Sequence, residues 1–199
     1  LLKNTCFGHP TVVLRKNVLE QNNIRYNAQM EPAEDYALWV TLLQYGKLYN
    51  LQEVLLNYRV YEGQVSQKRR DVQLKSKLAT RIRILEYLNI ELNENSNVIL
   101  KKVLSDEKLD FSVLKSFIGI KKDLLKANSI EEFFRNSDFD KYLAEIERNS
   151  VINYFLKRTK FSPKVYLEYL MIKNQISIKL PFKTDIIILA KSIVYFNAK

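Results

Sequence analysis

Cysteine is almost absent from this 199-residue chain, and histidine, glycine and proline are scarce. Cys6 stands alone, so no internal disulfide is possible, which fits a reducing, cytoplasmic setting. One histidine, His9, and one cysteine cannot make a His/Cys zinc site. A lone histidine also argues against a Ser-His-Asp triad, and Pro10 after it favours extended backbone. Four glycines and four prolines are too few for the many turns of an all-β design. No apolar run approaches the ~20 residues of a membrane-spanning helix. The nearest, residues 186–196, is interrupted by Lys191 and Ser192. The chain opens Leu1-Leu2-Lys3-Asn4, with neither an initiator methionine nor a signal segment, and reads as a piece of a longer protein.

What is present is globular in character: 47% hydrophobic and 27% charged residues, enough for a sizeable core. The formal net charge of +10 is unevenly distributed. Residues 1–70 carry nine Lys/Arg against six Asp/Glu, and residues 71–149 carry fourteen of each. Residues 150–199 carry nine against two, with Tyr, Phe and Ile between the lysines. Such an end is either a solvated basic face or a surface attracted to bilayer headgroups or another polyanion. No nucleic-acid-binding motif accompanies it.

The chain divides near residue 70. Before it, residues 11–14 are β-prone and residues 15–20 read as a helical turn. A helix is expected from Pro32 to a C-cap at Gly46. Residues 48–51 and 54–60 read as two strands, though the second run also suits a buried helical turn. After residue 70 the pattern is helical. Val72, Leu74, Leu78, Ile82, Leu85, Leu88 and Leu92 predict an amphipathic helix of about five turns. Further helices are expected from Ser96, across residues 110–127, and from a capping-box pattern at Ser129-Ile130-Glu131-Glu132. Ser150 and Ser162-Pro163 read as two more helix starts. Residues 176–180 alternate like a strand that Pro181 ends. The expected class is mainly α with a small β component, an α+β arrangement.

One stretch carries chemistry. Pro32-Ala33-Glu34-Asp35-Tyr36-Ala37-Leu38-Trp39 opens an apolar helix with an acidic pair, and Leu55-Leu56-Asn57-Tyr58-Arg59-Val60 follows about twenty residues later. With His9-Pro10-Thr11 upstream and Gly63-Gln64-Val65-Ser66 downstream, the first seventy residues resemble the acceptor-side half of family 2 glycosyltransferases of the GT-A fold. Residues 71–199 would be a helical extension outside that resemblance.

The resemblance implies inverting sugar transfer. A carboxylate takes the proton from an acceptor hydroxyl as its oxygen attacks the anomeric carbon, and a nucleoside diphosphate leaves. By resemblance Asp35 is that base and Glu34 its neighbour in the acceptor site. A first-turn position also suits a carboxylate, since the helix macrodipole favours its charged form, and acidic residues are common there for that reason alone. Trp39, four residues on, shares a face with Asp35 and would stack on a sugar ring or pack in the core. His9, Arg59 and Tyr61 complete the substrate-contacting candidates. Arg59 would pair with phosphate or the acidic pair, or belong to a structural ion pair. Tyr61 stands where many family members carry a histidine near metal and diphosphate, and a phenol is a poor replacement. The polar, basic segment Ser66-Gln67-Lys68-Arg69-Arg70 would close over a diphosphate or simply start a solvated helix.

The resemblance also implies a divalent metal, Mg or Mn. Neither a metal-binding Asp-x-Asp nor a Gly-rich phosphate loop is expected within this chain, so the ligands would lie mostly outside it. The chain alone is not expected to turn over sugar nucleotide. The implied partners are a nucleotide-sugar donor and a glycan or lipid-linked acceptor, as in bacterial surface polysaccharide synthesis. The basic end would rest peripherally on the inner face of the cell membrane. The alternative is a non-enzymatic helical module that binds an anionic membrane surface or a partner protein.

Overall fold

A computed structural model describes residues 1–57, 59, 69–105, 107–178 and 180–195. They form two compact units, Leu1–Ile84 and Leu85–Lys199. The fold is mainly helical. Among the described residues no strand is formed, and an isolated bridge at Lys160 is all that remains of the expected β component. A single β-prone run without a partner ladder is not stable in water. Residues 48–57 and 176–178 accordingly run as irregular chain.

The first unit is built around α2 (Glu34–Leu42), preceded by the short helix α1 (Lys16–Gln21) and followed by α3 (Arg70–Arg83). Tyr36, Ala37, Leu38, Trp39, Val40 and Leu42 of α2 are all buried, so the helix is enclosed on every side. Ile24, Leu38, Trp39 and Leu42 make one core cluster, covered by Phe7, Val12, Leu14, Val18, Leu19 and Leu48. The entry to α2 differs from expectation. Ala33 is the N-cap and Pro32 lies before it, so the proline is not in the first turn. At the other end α2 stops at Leu42, and tight i→i−3 bonds from Gln44 to Thr41 and Tyr45 to Leu42 use up the chain before Gly46.

α3 holds Leu78 and Ile82 inside, while Val72 and Leu74 remain exposed. The five-turn helix expected there is shorter. It tightens into a 3-10 turn at Ile84–Leu88, and Asn89 then adopts a left-handed conformation, φ 48°, that ends the run.

The second unit contains α4 (Glu94–Leu104), α5 (Phe111–Glu131), α6 (Asn136–Val151), α7 (Pro163–Lys173) and α8 (Phe182–Ile193). α5 packs against α4 and α6, and α7 against α8. Leu114, Ile118, Val151, Phe155, Phe161, Val165, Tyr169, Ile172 and Ile188 form the core. Several expected starts move. Asn93, not Ser96, caps α4, its side chain accepting from the Ser96 N–H at 2.8 Å. Ser129-Ile130-Glu131-Glu132 ends α5 instead of opening a helix. The Ser129 hydroxyl donates back to the Lys126 carbonyl, and Glu132 turns left-handed at φ 50°. Asn128 then closes the loop, accepting from the Phe134 N–H and donating to the Phe134 carbonyl and Asn136. Ser150 lies inside α6, which passes into a π turn at Ile152–Leu156. Ser162-Pro163 does open α7. Pro181 is the N-cap of α8.

Candidate functional site

Glu34 and Asp35 occupy the first turn of α2, and both are half-buried. The backbone before them is held at several points. Asn27 caps a 3-10 turn at Ala28–Met30, and the Met30 carbonyl accepts from the Ala33 N–H at 2.8 Å. The Gln73 side chain of α3 donates to the Pro32 carbonyl at 3.2 Å. The acidic pair is therefore mounted on the most buried helix of its unit and tied to a second helix. A base that must stay aimed at a substrate needs such a mount.

The two carboxylates differ. Asp35 Oδ1 accepts the N–H of Tyr36 at 2.7 Å. Glu34 Oε2 is buried and has no hydrogen-bond partner. A buried carboxylate oxygen without a donor is costly, and a substrate hydroxyl is one group able to satisfy it.

Tyr26 belongs to the same neighbourhood. Burial pushes its phenol above the usual value, and the charges of Asp35 and Glu34 push it further. His9 Nε2 lies 2.8 Å from the Tyr26 hydroxyl, with the rings 5.4 Å apart. His9 opens a 3-10 turn, His9–Thr11, and is not in the extended lead-in expected before Pro10. The turn is fixed by the Thr11 N–H and hydroxyl, which both donate to the Gly8 carbonyl at 2.9 and 2.7 Å.

Trp39 sits one turn below Asp35 and is 1% exposed. His9 and Phe7 meet its ring edge-on at 6.0 and 6.3 Å. It is a core residue first, yet its Nε1–H is buried without an acceptor. Trp39 also lines a cleft of about 490 Å³, whose walls come from residues 11–14 and 47–56. Among its lining residues Val13, Tyr49, Leu51, Val54 and Leu55 are largely exposed. Asn50 pins that wall by donating to the Cys6 carbonyl at 2.8 Å.

Arg59 is exposed on irregular chain, and the described part of the β-run that was to aim it, residues 54–57, is not a strand. Tyr61 and the segment 60–68, with Gly63-Gln64-Val65-Ser66, lie outside the described residues. The structure thus brings His9 against both Tyr26 and Trp39 of α2, with Glu34 and Asp35 acting on Tyr26. Sequence reasoning missed Tyr26, which falls in a polar stretch without periodicity; a phenol seventeen residues after the lone His9 carries no signal of its own.

Among the described residues no three His, Cys, Asp or Glu side chains lie together as a metal site. Asp138-Phe139-Asp140 is an Asp-x-Asp, but it opens α6 with Phe139 buried, and Asp138 meets Arg135 at 3.8 Å. The described residues do not fit the divalent ion that the resemblance implies.

The chain is 30% identical over 112 residues to a protein of Haemophilus influenzae (strain ATCC 51907 / DSM 11121 / KW20 / Rd) named an uncharacterized glycosyltransferase. The match covers 54% of this chain and 34% of that protein, so the chain spans about a third of its relative's length. No protein-family profile matches the chain. No solved structure matches it.

Proposed function

We propose that this chain is the acceptor-side portion of an inverting, family 2-like glycosyltransferase, with residues 1–70 completing a GT-A domain and residues 71–199 a helical extension. It takes part in moving a sugar from a nucleotide-sugar donor to a glycan or lipid-linked acceptor. The observation that carries the reading is the Glu34–Asp35 pair at the start of the buried helix α2, with one Glu34 oxygen lacking a donor. The similarity to the Haemophilus glycosyltransferase supports it.

In this reading the reacting hydroxyl of the acceptor meets the acidic pair at the start of α2. Asp35 takes the hydroxyl proton while that oxygen forms a bond to the anomeric carbon. The bond from that carbon to the diphosphate oxygen breaks, and the electron pair leaves with the nucleoside diphosphate. Glu34, half-buried beside Asp35 in the same turn, accepts from a neighbouring acceptor hydroxyl, which orients the sugar. Tyr26, in hydrogen-bond contact with His9, places a neutral phenol near the carboxylates. No metal-dependent step is assigned to these residues.

The test uses the natural full-length protein with a panel of nucleotide sugars, each with and without glycan and lipid-linked acceptors. Release of nucleoside diphosphate that depends on the acceptor, with a product of inverted anomeric configuration, is the expected result. No acceptor-dependent release from any donor would overturn the reading.

A further inference from the structure

α8 turns its apolar side outward. Phe182, Ile186, Ile187, Ile193 and Val194 are exposed, Phe182 by 77% and Ile193 by 63%, and exposed Ala190 lies between them. At 3.6 residues per turn these positions fall within an arc of roughly 140°. The inward side holds only Ile188 and Ser192 fully buried. A helix at an ordinary water-facing surface has the opposite polarity, and a continuous exposed apolar stripe marks a surface meant to be covered.

The charges around the stripe say what covers it. Lys183 is exposed within the same arc, and Lys191 stands at its edge with its ammonium 5.2 Å from the Phe161 ring. Over residues 150–199 there are nine cationic side chains and two carboxylates. Both carboxylates are engaged internally. Glu168 accepts from the Tyr154 hydroxyl at 2.6 Å, and Asp185 accepts from Tyr169 and Lys173. The outward field of this region is therefore positive. A second copy of the chain would bring the same excess of positive charge to the contact, which disfavours self-association. An anionic bilayer offers both complements, acyl chains for the stripe and headgroups for the lysines. With 12 residues α8 is about 18 Å long, too short to span. Among the described residues no helix is long and apolar enough to cross a membrane.

We propose that the exposed face of α8 lies in the interfacial plane of an anionic lipid bilayer, with Phe182, Ile186 and Ile193 inserted at headgroup depth and Lys183 meeting lipid phosphate. α7 adds exposed Leu167, Leu170 and Met171 with Lys164 at its start. The inference rests on the second unit alone and stands whether or not the first unit transfers sugar.

The natural full-length protein is sedimented with vesicles of phosphatidylcholine alone, or with phosphatidylglycerol added, at low and molar salt. Wild type should bind the anionic vesicles at low salt and be released by high salt. Ile186→Asp/Ile193→Asp should weaken binding by about tenfold or more while the far-ultraviolet circular dichroism stays native, because both side chains are exposed. Lys183→Glu, which leaves the apolar stripe intact, should weaken it several-fold. Undiminished binding by the double variant would overturn the proposal. So would wild type that stays in the supernatant, or a stable dimer or other protein complex that the double variant dissolves.

Discussion

At the scale of single residues, the candidate site gathers an acidic pair and a tryptophan of α2 with His9 and Tyr26. Glu34, Asp35 and Trp39 stand out because an acidic pair and the chain's one tryptophan share a helix. Their mount on the most enclosed helix of the unit agrees with a site that needs rigidity. Tyr26 was invisible because what relates it to His9 is spatial. A second tyrosine has a consequence that can be measured. Tyr169 and Lys173 of α7 both donate to Asp185 of α8. Burial pushes the Asp185 carboxyl up, but those hydrogen bonds and the Lys173 charge outweigh it and hold the carboxyl below its ordinary 3.8. A carboxyl lowered on folding stabilises the fold above its unfolded value and loses that contribution as pH falls towards its folded value. The stability difference between wild type and Asp185→Asn should therefore be steady from neutral pH to about pH 5 and shrink below about pH 4. Unfolding midpoints across that range check this; a difference independent of pH would mean that the carboxylate's charge does not join α7 to α8.

At the scale of elements, a buried charge links α5 to α6. Lys121 and Glu147 are 4% and 1% exposed and meet at 3.1 Å. Ser177, from the chain after α7, donates its N–H and hydroxyl to the same Glu147 oxygen at 2.9 and 2.6 Å. Removing one partner leaves the other charge buried alone, so Glu147→Leu should destabilise by roughly 3–5 kcal/mol. Lys121→Met/Glu147→Leu should recover most of that loss, because an apolar pair of similar volume carries no desolvation penalty. Thermal or denaturant unfolding of both variants decides. A double variant no better than the single would place the value of the cluster in the Ser177 contacts.

The same contacts explain why residues 176–180 were misread. Their alternation suits a strand, but Ser177 is drawn to Glu147, and among the described residues no strand is formed to pair with. The apolar run over residues 110–127 placed α5, and the Ser162-Pro163 start placed α7. Boundaries failed where a side chain bonded against its usual habit, as Ser129 does in turning back to Lys126. The runs at residues 48–57 failed for a different reason. β-propensity describes a fit to neighbours, and no strand among the described residues supplies one.

At the scale of the whole molecule, the two units carry different features. The first holds the acidic pair, the Tyr26–His9 contact and the cleft at Trp39. The second holds the basic excess and the outward apolar face of α8. The charge distribution along the sequence anticipated the second, while the inverted polarity of α8 needed burial to be seen. Sugar transfer with Asp35 as the base hangs on one carboxylate, and a single substitution tests it. In the natural full-length protein Asp35→Asn keeps size and shape and removes the proton acceptor. The account predicts a fall in kcat of at least about 10²-fold, with donor Kd and unfolding midpoint close to wild type. Near-normal turnover by that variant would contradict it.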